Sequence, residues 1–470
     1  MSKTLTILGI LIWFVTGCII SLFANRKTGK GISEFFIANR KINGFIAAMT
    51  YSATTYSSFM MVGLVGMVYV VGVSAFGFEI TYLISTVLLL LYFAPKYWEL
   101  GKRYNCITPS ELLSKRYESN SLGKIVTVFS FIMLIPYMSV QFMGIGYLLE
   151  GLANIPYILG TFIALIVILT YTIWAGMRSV AWTDALQSLI MLISSILLVF
   201  FIIYVKLDGF KNFFSILETE HSDLLSASKM PYLKFIGLSV PWMFFALTNP
   251  QVSQRMFIAR DKKSLKNMII MFAIFGFLYT LIVVSLGLAA KCLFPAVSKS
   301  DTVTSVLLSH VPMLLALIVL ISIVAASVST VNSITLTLSS MFTIDFFKKS
   351  AKKNLFLAKL TIVFIAIIAY LFSLKRFDVI VELSVMSSAG LLAVAPSYIG
   401  IFWKKSTKAG AIISILAGGS VAIIMYSMGQ FPLGIWPGIW TAIVSVITFI
   451  FFSLITTKPQ NMIFESMKIE

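Results

Sequence analysis

Oxygen-bearing side chains gather in three short stretches of an otherwise apolar sequence. In YSATTYSSF, residues 51–59, seven of nine side chains carry a hydroxyl. Around AASVSTVNS, residues 325–333, Ser322, Ala326, Ser329, Thr330, Ser333, Thr337 and Ser340 fall within roughly one 100° arc at helical spacing, and Val328, Val331, Ile334 and Leu338 fall outside it. In LTNPQ, residues 247–251, Pro250 withdraws a backbone donor and clashes with the turn before it. Thr248 and Asn249 are placed to satisfy the freed groups, and Trp242 stands about two turns earlier. Hydroxyls on nearly consecutive residues cannot share one helical face, and the β-branched Thr54 and Thr55 compete for the backbone. Local unwinding within 51–58 explains both. Unwound backbone at membrane depth has unpaired carbonyls, and a cation is a good partner for them. Two plainer readings stand beside this one: the small-residue stripe as a seam for close helix packing, and the Pro250 break as a simple kink.

Other reactive groups are few. Cys18, Cys106 and Cys292 lie far apart with no CxxC pair, so neither a disulfide framework nor a structural zinc site is expected. His221 and His310 are the only histidines, and both fall in expected loops. Haem, zinc and histidine catalysis therefore have little to work with. With no nucleophile or acid–base constellation, an enzyme is not expected. Glu79 and Glu382 fall inside apolar runs, where an acid is either functional or neutral and hydrogen-bonded. Asp345, in TIDFFKK, is expected at a cytoplasmic helix end facing lysines, a structural role.

The elements that must position these residues are membrane helices. Of 470 residues, 59% are hydrophobic and 11% charged, against about 25% charged in soluble proteins. Apolar runs long enough to cross a bilayer recur from end to end. Thirteen candidate spans lie near 5–24, 43–72, 74–95, 122–150, 157–175, 180–205, 235–254, 267–290, 312–344, 355–374, 378–403, 408–428 and 435–456. The first, Thr4–Phe23, is longer than a signal core and lacks a clear cleavage site, so it reads as a retained helix.

The net charge of +18 follows the loops. Arg26, Lys27, Lys30, Arg40, Lys41, Lys102, Arg103, Lys115, Arg116, Arg255, Arg260, Lys262, Lys263, Lys348, Lys349, Lys352, Lys353, Lys404 and Lys405 sit in alternate loops, and the loops between carry few basic residues. Positive loops stay cytoplasmic, which places the N-terminus outside and the C-terminus inside, and argues for lipid contact and against nucleic acid. YSATTYSSF lies in the second span and LTNPQ in the seventh. Five spans apart, they run in opposite directions. Interrupted helices at corresponding places in oppositely oriented halves point to an inverted repeat with a binding site at mid-membrane.

At these residues the chain resembles the sodium:solute symporter family. The stretches that carry the resemblance are FFIANRKINGF…SATTYSSFMMVGLVGMVYVVG (35–72), YNCITPSELLSKRY (104–117), AGMRSVAWTDALQSLIM (175–191), NPQVSQRMFIARD (249–261) and AASVSTVNSITLTLSSMFTIDFF (325–347). The resemblance implies an all-α membrane protein with a LeuT-type core of two inverted five-helix repeats. These would be residues 43–205 and 235–403, preceded by an extra helix at 5–24 and followed by two at 408–456.

Carried over residue by residue, the resemblance implies a sodium ion held by the carbonyls of Ala53, Tyr56 and Ala326 and the hydroxyls of Ser329 and Thr330. Asp184, with Asn332 and Ser333, would mark a second ion or the ion's path; Asn332 departs from the usual serine. Substrate would contact Thr54, Thr55, Ser57, Ser58, Tyr137, Gln141, Trp242, Ala246 and Pro250. Thr55 stands where proline carriers have an aspartate. SVQFMGIGYLLEGLANIPYILG (139–160) and PKYWELGKRYNCITPSELL (95–113) look more like the pantothenate and monocarboxylate branch. The expected activity is sodium-coupled uptake of a small organic carboxylate across the cell membrane by a monomer. A proton-coupled carrier of the same fold, a proline-like amino-acid symporter and a passive channel or facilitator are the rivals.

Overall fold

The computed structural model describes residues 3–25, 29, 31–347, 351–376, 380–429 and 431–457. Arg26, Lys27, Lys30, Lys348 and Lys349, used above to orient the chain, lie outside these residues, as do the side chains of Lys352 and Lys353. The fold is built from helices. Among the described residues β pairing is limited to one isolated parallel bridge between Ile42 and Ala259.

The helices follow the apolar runs. They are α1 (Lys3–Asn25), α2 (Ile32–Ile37), α3 (Gly44–Thr55), α4 (Val65–Val71), α5 (Val73–Arg103), α6 (Pro109–Arg116), α7 (Asn120–Ala153) and α8 (Tyr157–Phe200). The outer loop carries α9 (Phe210–Glu220). Then come α10 (Tyr232–Met243), α11 (Phe245–Thr248), α12 (Pro250–Ser253), α13 (Lys262–Leu293), α14 (Val303–Ser309) and α15 (Met313–Phe346). The chain ends with α16 (Ala351–Ser373), α17 (Ile380–Leu391), α18 (Ala395–Ile399), α19 (Lys408–Met428) and α20 (Pro437–Ile455). Polar side chains start several of them. Asn43, Thr108, Ser119, Asp261 and Thr407 each accept a backbone N–H from the first turn.

Burial sorts the helices into layers. The apolar stretch of α15 is 78% buried and that of α7 72%, against 28% for α1 and for α20. α15 packs against α8, α7, α16 and α3, and α3 packs against α13 and α8. α1 lies on the rim, with Trp13 and Phe14 set edge-on to Tyr171 of α8 and Leu8, Leu11, Ile12 and Leu22 exposed. Such exposed apolar faces suit lipid.

Among the described residues ten helices are long and apolar enough to cross a membrane, eleven when Gly44–Thr55 and Phe59–Val71 count as one broken span. Thirteen were expected, and the shortfall has two physical causes. Tyr157–Ile173 is cut short by a kink at Gly176. That residue has φ +57°, and an added Cβ would sit 2.9 Å from the carbonyl oxygen of Phe35, so a glycine is required there. The expected 235–254 span is divided among α10, α11 and α12. Asn249, just before Pro250, is extended at φ −90°, ψ 108°, as a residue preceding proline prefers.

Candidate functional site

α3 ends at Thr55. Tyr56 leaves the helix at φ −92°, ψ 92°, and a π-helical turn over Phe59–Leu64 carries the chain into α4 at 51° to α3. The break is buried throughout, and its hydroxyls point in several directions. Thr50 donates to Asp184 Oδ2 at 2.6 Å, Thr54 and Ser333 share a hydrogen bond at 2.9 Å, and Ser58 donates to Gln141 Oε1 at 2.9 Å. Ser57 Oγ accepts the Phe59 N–H at 3.2 Å. The buried hydroxyls of Tyr51, Ser52, Thr55 and Tyr56 have no hydrogen-bond partner among the described residues.

The helix facing the break is α15. Thr330 Oγ1 lies 3.1 Å from the Ala326 carbonyl on its own helix, 3.3 Å from that of Ala53 and 3.4 Å from that of Thr54. One hydroxyl proton is thus shared among three carbonyl acceptors. Of the expected ion ligands, the structure brings Ala53, Ala326 and Thr330 together. Ser329 turns aside and donates to Asp184 Oδ1 at 2.6 Å. Tyr56 sits at the break itself, its ring against Phe272 and Phe275 of α13. Val328, Val331, Ile334 and Leu338 are as buried as the hydroxylated stripe, so the stripe separates polar from apolar protein neighbours rather than protein from lipid.

Arg255 corrects the sequence reading. It was assigned to a basic cytoplasmic loop, yet its side chain is fully buried. Its Nη2 donates to Ser333 Oγ at 2.5 Å and lies 4.0 Å from Asp184 Oδ2. The cause is local: α12 and the 3-10 turn Gln254–Phe257 carry the chain inward along α15 after Pro250. Beside it, Gln254 accepts from Thr337 at 2.5 Å and donates to Ser340 Oγ at 2.9 Å and to the Ile107 carbonyl at 3.1 Å. The signal for both was the motif itself. NPQVSQR is separated from the exposed RDKK by the apolar MFIA.

Ser333 joins Thr54 and Arg255, but Asn332 faces the other way and accepts from Thr172 at 2.6 Å. Trp242 is stacked between Phe59 and Phe245, with ring centroids 5.0 and 4.9 Å away, and Tyr137 approaches it edge-on at 6.3 Å. Gln141 anchors Ser58 to α7. Ala246 and Pro250 are buried in α11 and α12. Glu79 is buried, and among the described residues neither of its carboxyl oxygens has a hydrogen-bond partner.

Glu382 differs from expectation, and Asp345 is tied to neighbouring helices. Glu382 is half-exposed in the first turn of α17 and pairs with Lys234 at 3.5 Å. Asp345 is buried and accepts from Ser110 at 2.7 Å and Thr127 at 2.5 Å; Lys348 and Lys349, which it was expected to face, lie outside the described residues. Its helix end is covered by α6 and α7. Among the described residues, no group of three His, Cys, Asp or Glu side chains is placed to hold a metal ion.

Known proteins share this architecture. Of solved structures, a substrate-bound outward-open Na+-coupled sialic acid symporter superposes with a TM-score of 0.78 at 16% identity, over 96% of this chain and 98% of that one. Mhp1, a nucleobase-cation-symport-1 family transporter, superposes at 0.60 with 12% identity, over 92% and 97%. These likenesses show the fold, which is of LeuT type. In sequence, the sodium/pantothenate symporter of Escherichia coli (strain K12) is 26% identical over 448 residues, 92% of each chain. The osmoregulated proline transporter OpuE of Bacillus subtilis (strain 168) is 26% identical, over 97% of this chain and 96% of its own. The sodium/proline symporter of Staphylococcus aureus (strain JH9) is 25% identical, over 97% and 93%. The family model of the sodium:solute symporters matches residues 35–418, from just ahead of the first broken helix to within α19, and the chain belongs to that family of transporters, not enzymes.

Proposed function

We propose that the chain takes up a small organic solute by sodium-coupled symport, and that the solute is a carboxylate such as a monocarboxylate or pantothenate. The contact that carries this reading is the Thr330 hydroxyl against the carbonyls of Ala53 and Thr54, where a broken helix meets an alcohol-bearing one. Sodium arriving from outside binds the carbonyls of Ala53, Tyr56 and Ala326 and the hydroxyls of Ser329 and Thr330. The Thr330 hydroxyl turns its lone pair to the ion as the ion takes over its carbonyl partners. Binding clamps α3 to α15. Asp184, behind Ser329, lies on the ion's path inward, and Ser333 beside Arg255 continues it.

The solute rests against Thr54, Thr55, Ser57 and Ser58 at the break, with Trp242, Ala246 and Pro250 of the second broken helix opposite and Tyr137 and Gln141 of α7 above. Its carboxylate faces the N-terminus of the outer half-helix Phe59–Val71, where the helix dipole favours negative charge. The relatives named for sodium/pantothenate and sodium/proline symport support this assignment. Each sodium entering with the membrane potential contributes about 2.3 kcal/mol per 100 mV.

The same reading gives the topology. The protein lies in the cell membrane, N-terminus outside and C-terminus inside, and crosses it thirteen times when Tyr157–Ile173 and the divided α10–α12 segment are counted. Residues 43–205 and 235–403 form the two inverted repeats, and a monomer suffices.

A thermal-shift screen of the purified chain against carboxylates, amino acids and vitamins tests the proposal, because a ligand that binds only the folded state raises its stability. Stabilisation by one solute only when sodium is present supports it. Uptake that runs on a pH gradient in sodium-free buffer assigns coupling to protons instead. Failure to accumulate solute against its gradient leaves a facilitator.

A further inference from the structure

The end of α1, the start of α3 and the part of α8 just past the Gly176 kink frame a groove of about 440 Å³. Ile20, Phe23, Ile46 and Trp182 form its apolar walls. Phe23 is 59% exposed and Trp182 47%, so the walls open toward lipid, and an exposed tryptophan suits the membrane–water boundary. A hydrogen bond at 3.0 Å between Ser21 and Ser179 fixes α1 to α8 and sets the spacing of the walls. Polar groups line the same groove. The Asn43 carboxamide oxygen caps α3 by accepting the Ile46 N–H at 2.9 Å, which leaves its Nδ2 to donate. Arg178 donates through Nε to Glu34 at 2.6 Å and through Nη2 to the Ala38 carbonyl at 3.4 Å, so its guanidinium is held in place with Nη1 to spare. Lys41 is exposed, and among the described residues no acid pairs with it. The acids close by are taken: Glu34 is buried against Arg178, and Asp261 is held by Arg260 and the Ser264 N–H.

We propose that this groove seats one anionic phospholipid, with its phosphate on Lys41, Asn43 Nδ2 and Arg178 Nη1 and an acyl chain along Ile20, Phe23, Ile46 and Trp182. Apolar walls with donors at the mouth fit an amphiphile with an acceptor head, and basic pockets between membrane helices hold anionic headgroups. A zwitterionic lipid fits less well, because its ammonium group finds no free carboxylate. The leaflet is the one that meets Lys41, which is the cytoplasmic one in the orientation proposed above. Seated there, the lipid touches the rim helix α1, the approach to the first broken helix at Ile42 and Asn43, and α8 two residues ahead of Asp184. It braces the moving parts from outside the solute pathway.

The test is a thermal-shift titration of the full chain in detergent, without sodium or solute, so that its outcome is independent of the symport reading. The probes are dioleoylphosphatidylglycerol, dioleoylphosphatidylcholine and glycerol phosphate. A ligand that binds the folded state raises its stability. The expected result is saturable stabilisation by the phosphatidylglycerol alone. In Lys41→Gln its half-saturating concentration rises about fivefold, the worth of one basic residue at an anionic lipid surface. Ile20→Trp fills the groove from a half-buried position and weakens the response as well. Lys405→Gln makes the same charge change at an exposed position outside the groove and leaves the response unaltered. Equal stabilisation by the phosphatidylcholine shows general solvation of the apolar faces and overturns the assignment. Stabilisation by glycerol phosphate alone also overturns it, by marking a free-phosphate site. So does a response that Lys41→Gln leaves unchanged, one that Lys405→Gln weakens equally, or no response to any probe.

Discussion

Thr330 Oγ1 stands 3.3 Å from the carbonyl oxygen of Ala53, across 277 residues of sequence. The contact joins the frayed end of α3 to the middle of α15, and each side supplies what the other lacks. A helix that stops in a membrane leaves carbonyls without donors. A helix with a hydroxylated stripe has oxygens that a small cation can use. A hydroxyl proton holds the pair in the structure described here, and a sodium ion is proposed to hold it during transport.

Thr330→Val keeps the shape of the side chain and removes its oxygen. The sodium concentration for half-maximal thermal stabilisation is expected to rise about tenfold, the effect of losing one ligand. Ser329→Ala should shift it in the same direction. An unchanged sodium titration in both variants would falsify the proposed ion site.

Asp184 and Arg255 are both fully buried, 4.0 Å apart. Asp184→Asn leaves Arg255 charged with no carboxylate, a change expected to cost about 3–5 kcal/mol and to lower Tm markedly. Adding Arg255→Met should recover much of that loss without restoring transport. Lys234→Ala breaks a half-exposed pair, worth under about 1 kcal/mol, and should leave Tm nearly unchanged. Equal losses in the two single variants would show that the buried pair is not a structural unit.

A Cβ on Gly276 would fall 2.1 Å from Tyr56 Oη and 2.7 Å from Leu83 Cδ1. Gly276→Ala should therefore destabilise the chain by about 1–3 kcal/mol and weaken its response to sodium by displacing Tyr56. Among the described residues the Tyr56 hydroxyl has no hydrogen-bond partner. Tyr56→Phe in the Gly276→Ala background removes the nearest clashing atom, and Tm should partly recover.

Burial pushes the Cys106 thiol up to about 12, and the backbone around it is held by Arg40, whose Nη2 donates to the carbonyls of Gly101 at 2.7 Å and Cys106 at 2.5 Å. The thiolate is the reactive form. Raising the pKa therefore lowers reactivity at neutral pH, and the alkylation rate should climb with pH until about 12. In a Cys18→Ser, Cys292→Ser chain, iodoacetamide labelling is expected to be slow at pH 7.5 and to quicken as the pH is raised. Rapid labelling of the unaltered site would show that this end of the protein opens freely.

Sequence made the helical membrane class and the broken segment plain, because both leave local marks: apolar runs of spanning length, and hydroxyls too closely spaced for one face. The stripe on α15 was visible for the same reason. Arg255 was hidden because charge counting treats every basic residue near a loop alike. Arg40 and Arg116 show the same blind spot. Both were read as orientation signals, yet Arg116 is buried, with Nε donating to the Ile401 carbonyl at 2.9 Å. Long-range pairing decides such cases, and no periodicity records it. Glu382 was misplaced by the reverse error, since an apolar run does not show that Lys234 of another helix reaches it. The turn of Asn332 toward Thr172 was half legible, because it lay off the hydroxylated arc.

One join in the fold owes nothing to side chains. Ile42 donates its N–H to the Ile258 carbonyl at 3.2 Å, and Arg260 returns a bond to the Ile42 carbonyl at 3.0 Å. This stitch ties the approach to the first broken helix to the exit from the second. Any residue but proline can supply those N–H groups, so drift at these positions leaves the coupling intact while erasing its trace from the alphabet. Two levers riveted at one end swing together, and whatever tilts one of them is felt by the other.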